Sequence, residues 1–72
     1  MLKEAKEKLG YSYQVLGNML GVDKGTAFSW INNPARASKN IMRRVAEVLE
    51  LDEDEVIQHW KELRIKRYTE RL

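Results

Sequence analysis

Seventy-two residues, 43% of them hydrophobic and none cysteine, suffice for one domain with a small core; they exclude a deep catalytic cavity, a disulfide framework and a thiolate metal site. Thirteen Lys and Arg against eleven Asp and Glu leave a net charge of +2, an ordinary solvated surface rather than a polycation. The stretch MLKEAKEKLG has no apolar signal core and no run of about 18 apolar residues follows, so a cytoplasmic chain outside membranes is expected.

Leu2, Ala5 and Leu9 recur at helical spacing among Lys and Glu, which predicts a first helix over residues 2–9 that Gly10 closes. Ser12 stands where an N-cap belongs. Val15, Leu16, Met19 and Leu20 then give the apolar stripe of a second helix, which Gly21 stops. Asp23 caps a third helix reaching Trp30 or Ile31, with Ala27 and Trp30 spaced to face the core. The connection between these two helices is very short, so they cross closely, and Gly17 and Ala27 supply the small residues for that crossing. A mid-helix glycine costs roughly 1 kcal/mol relative to alanine, which close packing at Gly17 explains.

Asn32-Asn33-Pro34-Ala35-Arg36-Ala37 reads as a loop, because proline holds its predecessor out of helical geometry and asparagine favours turns. Ser38 caps a fourth helix whose Ile41, Met42, Val45, Ala46 and Leu49 repeat with a period of about 3.6 residues; Arg43 and Arg44 are expected on its solvent face. Leu51 bridges to a fifth helix capped by Asp52, with Glu53, Asp54 and Glu55 in the first turn, where the helix dipole favours negative charge. Val56, Ile57, Trp60 and Leu63 share an arc of about 120° and face the core. Ile65, Tyr68 and Leu72 lie on an adjacent arc. Two arrangements stay open there: the helix ends near Arg64 and a tail follows, or a second apolar stripe faces a partner.

The charge is segregated along the chain. Residues 1–51 carry a balance of +3, residues 52–55 one of −4, and residues 60–72 hold five basic against two acidic side chains. Such a distribution suits a basic nucleic-acid face without requiring one. The cations Lys61, Arg64, Lys66, Arg67 and Arg71 form either a solvated helix face or the surround of a dimer contact through Trp60, Leu63, Ile65 and Tyr68. His59 is the single histidine and has no ligand at metal spacing. Ser12, Ser29 and Ser38 lack a nucleophile elbow, and no glycine-rich phosphate loop occurs, so neither an enzyme nor a cofactor, metal or small-molecule ligand is expected. With no strand-like alternation or internal repeat, the fold class is all-α.

Against this background YSYQVLGNMLGVDKGTAFSWINN resembles the helix-turn-helix of the phage Cro and lambda-repressor proteins, the XRE family. LKEAKEKLGYS resembles that family's first helix, and NNPARAS with KNIMRRVAEVLELDEDEV its following loop, fourth helix and the start of its fifth. The resemblance covers residues 2 to about 60. It implies a compact five-helix DNA-binding domain over residues 1–64, with residues 65–72 as a helical extension or tail.

The family places its third helix in the major groove, which implies that Lys24, Gly25, Phe28 and Ser29 occupy the base-reading positions. Lys24 suits guanine O6 and N7 or a phosphate, Ser29 several bases, and Phe28 a thymine methyl, if it is not semi-buried instead. Gly25 departs from the family, which usually has a polar reader there. By the same likeness Tyr13, Gln14, Thr26, Asn32, Asn33, Arg36 and Lys39 lie near phosphates, although the family's usual glutamine after the cap is Tyr13 here, with Gln14 next. The implied function is a transcriptional regulator of phage or prophage repressor type that binds double-stranded DNA and occludes a promoter, with a homodimer as one of the two arrangements open at its C-terminal end. Two rivals use the same fold: an antitoxin-like or antirepressor-like protein-interaction module, and an excisionase-type architectural protein that bends DNA.

Overall fold

The computed structural model describes residues 1–70, so the expectations for Arg71 and Leu72 lie outside the described residues. It contains α1 (Leu2–Lys8), α2 (Tyr13–Leu20), α3 (Lys24–Asn32), a 3-10 turn at Pro34–Arg36, α4 (Lys39–Val48) and α5 (Glu53–Glu70). Side-chain caps start four of these helices. Ser12 Oγ accepts from the Val15 N–H at 3.1 Å, Asp23 Oδ1 from Thr26 at 2.8 Å, Ser38 Oγ from Ile41 at 3.2 Å and Asp52 Oδ1 from Glu55 at 3.0 Å. The ends of α1, α2 and α4 share one geometry: a left-handed residue, with the next N–H reaching back five residues. Gly10 and Gly21 both take φ of 75° and Glu50 takes 56°; the back-bonds are Tyr11 to Lys6 at 3.1 Å, Val22 to Gly17 at 2.8 Å and Leu51 to Ala46 at 2.9 Å. Glycine announces the first two ends. Nothing local announces Glu50.

The core joins Leu2 of α1, Leu16 and Leu20 of α2, Ala27 and Ile31 of α3, Met42, Val45, Ala46 and Leu49 around α4, and Val56 and Ile57 of α5. One predicted stripe is corrected and another is extended. Val15 and Met19 are 43% and 46% exposed, because the buried arc of α2 runs through Leu16, Leu20 and Gly17. Glycine, invisible to a hydrophobicity count, lies on the side that packs. In α3 Ala27 is joined by Ile31, four residues on, which the predicted stripe lacked, while Trp30 packs half-buried against the core as its spacing predicts. Asn32, expected in the loop, closes α3, and residues Pro34–Arg36 wind into the 3-10 turn.

Gly17 explains the crossing of α2 and α3. A Cβ there would lie 2.7 Å from the Val22 carbonyl oxygen and 3.1 Å from that of Asp23, so the turn rests directly on the helix. Arg44 is exposed, as its place on α4 predicts, and its Nη2 donates to the Leu20 carbonyl at the end of α2. Arg43 is exposed and pairs with Glu53 at 3.0 Å. The indole N–H of Trp60 donates to the Ala37 carbonyl at 2.9 Å, fastening α5 over the 3-10 turn. Beyond Arg64 the helix continues to Glu70, which rules out a helix end at Arg64; Ile65 and Tyr68 stand 66% and 68% exposed.

Gly17→Ala is expected to destabilise the fold by about 1–3 kcal/mol, since the clashing atoms are backbone and cannot rotate away. Glu50→Gly is expected to stabilise it by about 1 kcal/mol by relieving a left-handed non-glycine residue. Urea denaturation of both variants checks the pair of opposite signs.

Candidate nucleic-acid interface

The surface built by α2, Gly21 and α3 carries most of the sequence-predicted site. Lys24 and Gly25 occupy the first turn of α3 and are exposed, and open space surrounds the position a Gly25 Cβ would take. Phe28 follows one turn later and is 51% exposed, while Ser29 is half-buried beside it. Thr26 is half-buried, with its N–H committed to the Asp23 cap. Asn33, Arg36 and Lys39 are exposed along the 3-10 turn and the start of α4. Gln14 is exposed in the first turn of α2 and lies 3.4 Å from the Asn18 side chain.

Tyr13 brings three elements together. Its ring meets that of Phe28 edge-on, with centroids 5.0 Å apart and planes at 64°. Its hydroxyl accepts from the Asn32 side-chain amide at 3.1 Å, and the same amide nitrogen donates to the Phe28 carbonyl at 2.9 Å. From α1, the Lys6 ammonium lies 4.3 Å from the Tyr13 ring centre and donates to the Tyr11 carbonyl at 3.0 Å. Phe28 thus resolves the two placements left open by the sequence. The ring packs against Tyr13 and about half of the residue remains exposed.

Lys6 is the residue sequence reasoning missed. It is buried, with its charge satisfied by a carbonyl and an aromatic face. The signal was its position four residues after Leu2, on the inward arc of α1. The Tyr13–Asn32 bond left no such signal, because it joins residues 19 apart through the tertiary fold.

The electrostatics are those of a capped helix start. Asp23 is held below its ordinary pKa of 3.8, first by a hydrogen bond from the Thr26 side chain and then by the Thr26 N–H. The first turn of α3 contains no acidic side chain, and Lys24 is exposed there.

A family model described as Helix-turn-helix matches residues 2–56, the segment from the start of α1 into α5. The chain belongs to the helix-turn-helix family. It is a DNA-binding transcription regulator of the Cro and lambda-repressor, or XRE, type, and its all-α fold with α2 and α3 joined at Gly21 fits that family. No significant match occurs among the curated proteins or the solved structures. Among the described residues, no helix of this helix-turn-helix protein is long and apolar enough to cross a membrane.

Two measurements probe the site's construction. Tyr13→Phe keeps the ring and is expected to cost less than about 1 kcal/mol, whereas Tyr13→Ala loses the ring contacts and is expected to cost about 1–2 kcal/mol; equal losses in urea denaturation would place the hub elsewhere. For Asp23 the folded pKa lies below the unfolded one. The stability it contributes is therefore complete above about pH 3.8 and is lost as pH falls through the lower, folded value. An NMR titration of the Asp23 carboxyl should show its midpoint below 3.8.

Proposed function

We propose that this regulator docks α3 in the major groove of an operator and represses by occluding the promoter. The observation that carries this reading is the exposed run of Lys24, Gly25 and Phe28 at the start of α3, held on a helix-turn-helix whose crossing is fixed by backbone contact at Gly17. Lys24 donates to guanine or to a phosphate, Ser29 bonds base edges, and the outward part of Phe28 meets a thymine methyl. Gly25 reads no base. Its value is the bare helix surface, which lets the backbone of α3 approach the duplex more closely than any side chain would permit.

Around this reader, the first turn of α2 with Tyr13 and Gln14 meets one run of phosphates through backbone N–H groups. Thr26, Asn32, Asn33, Arg36 and Lys39 meet the other. Tyr13 and Asn32 also bond to each other, so both serve the shape of this surface as well as its contacts. In this reading the protein acts in the cytoplasm and comes from a phage or prophage. It pairs with a second copy through the exposed Ile65 and Tyr68, setting two α3 helices about 34 Å apart on a palindromic site. Trp60 and Leu63, half-buried against the chain's own body, border that contact instead of forming its centre.

Selection from random DNA should recover a palindrome; a single unsymmetrical site would leave the DNA reading intact and remove the dimer. Failure to enrich any sequence would favour a protein-interaction role for the Ile65 and Tyr68 face. Lys24→Ala is expected to weaken binding or alter base preference with an unchanged melting temperature, measured by fluorescence anisotropy and thermal denaturation. Gly25→Ala separates stability from function more sharply. It should raise the melting temperature, because alanine is favoured in the helix by up to about 1 kcal/mol and meets nothing within 4 Å, yet it should weaken DNA binding.

A further inference from the structure

The inward stripe of α5 changes its chemistry half-way along. Val56, Ile57 and Trp60 pack in or against the core, Leu63 follows half-buried, and on the next turns the same arc of the helix carries Arg64 and Arg67. There α5 overhangs the Pro34–Arg36 turn. A cleft of about 390 Å³ lies under the overhang, with Asn32, Asn33, Arg36, Lys66 and Arg67 in its walls. A second hollow of about 300 Å³ is lined by Ala35, Arg64, Arg67 and Tyr68.

Among the described residues, four cationic side chains, Arg36, Arg64, Lys66 and Arg67, therefore line this pair of hollows, against one carboxylate, Glu70. No ion pair joins any of the four to another described residue. Arg64 is positioned by the body: its Nη1 donates to the Ala35 carbonyl at 3.0 Å, and its guanidinium carbon lies 5.0 Å from the Trp60 ring centre. Arg67 is half-buried, whereas Arg36 and Lys66 are exposed. Of the four, Arg64 is held in place by its bond to Ala35 and its contact with Trp60, and the others extend from the same helix and the adjoining turn.

We propose that this cleft is a second phosphate-binding arm, in which the carboxy-terminal half of α5 grips the DNA backbone beside the far end of α3. The inference rests on the DNA reading above and extends its footprint through residues beyond the family match, which stops at residue 56. Continuity with Asn32, Asn33 and Arg36 identifies the ligand as duplex DNA, because those residues already flank the proposed recognition helix. Guanidinium and ammonium groups bind phosphate oxygens, which are the same at every base pair, so the contact made by Arg67 and Lys66 is independent of sequence. It strengthens binding and fixes the register of α3 on its site.

The test uses the full chain and the duplex recovered by selection, with Lys66→Ala, Arg67→Ala and the double variant; Arg64 is left intact because it also holds the turn. Circular dichroism and melting temperature establish that each variant folds as the wild type does. Each single substitution should lower the slope of log affinity against log salt by about 1, and the double variant by about 2, with base preference unchanged. Phosphate-ethylation interference should show flanking phosphates needed by the wild type and not by the double variant. An unchanged slope and footprint in the double variant, while Lys24→Ala still weakens binding, overturns the arm and leaves the recognition helix standing. Absence of DNA binding by the wild type overturns both, and selective capture of an acidic peptide with an unchanged DNA slope assigns the cleft to another ligand.

Discussion

The approach of the turn to Gly17 is the constraint on which the surface carrying Lys24, Gly25 and Phe28 depends. With the Val22 and Asp23 carbonyls packed where a Cβ would stand, α2 and the turn share one surface and the crossing has little freedom to adjust. That position brings the Asp23 carboxylate onto the Thr26 N–H, and the cap in turn sets the first turn of α3, where Lys24 and Gly25 are displayed. On the other side of α2, Arg44 holds the Leu20 carbonyl from α4. Backbone carbonyls at the end of α2 are thus engaged by both the turn and the fourth helix, and the hydrophobic core completes an arrangement the main chain has already restricted.

A second layer of order comes from Tyr13. Its ring, hydroxyl and face are each used by a different partner, Phe28, Asn32 and Lys6, so one side chain connects α1, α2 and α3. Phe28 gains from this a fixed neighbour. An apolar ring half exposed on a helix would otherwise sample several rotamers, and packing against Tyr13 removes much of the entropy that binding would have to remove.

How much of this was legible depended on the distance over which each interaction acts. The four capping residues Ser12, Asp23, Ser38 and Asp52 bond N–H groups three residues away, and each was readable from its own neighbourhood. Gly10 and Gly21 were readable because only glycine enters the left-handed region freely, whereas Glu50 enters it under tertiary packing and looks ordinary in the sequence. The outward positions on α3 were implied by the family resemblance, and Lys24, Gly25 and Phe28 are exposed there. The Arg44–Leu20 and Tyr13–Asn32 bonds were not legible, since each spans 19 residues or more. Counting apolar residues also misplaced Val15 and Met19, because Gly17 sets the packed side of α2 without contributing to any hydrophobic stripe. The end of α5 stayed open for a related reason: its apolar stripe stops at Leu63, and good helix formers such as Lys66, Arg67 and Glu70 carry it on.

The length of α5 has a kinetic consequence. Its first turn holds Glu53, Asp54 and Glu55, its last turns Arg64, Lys66 and Arg67, and eighteen residues separate the helix ends by about 27 Å, beyond the roughly 8 Å over which salt screens charge at physiological strength. A molecule of small net charge therefore carries a lasting charge moment along one rigid axis. Near a polyanion this moment exerts a torque, repelling the acidic end and drawing in the basic end before any contact forms. Encounters are biased toward one orientation, with the basic end of α5 leading, and fewer collisions are wasted wrong way round.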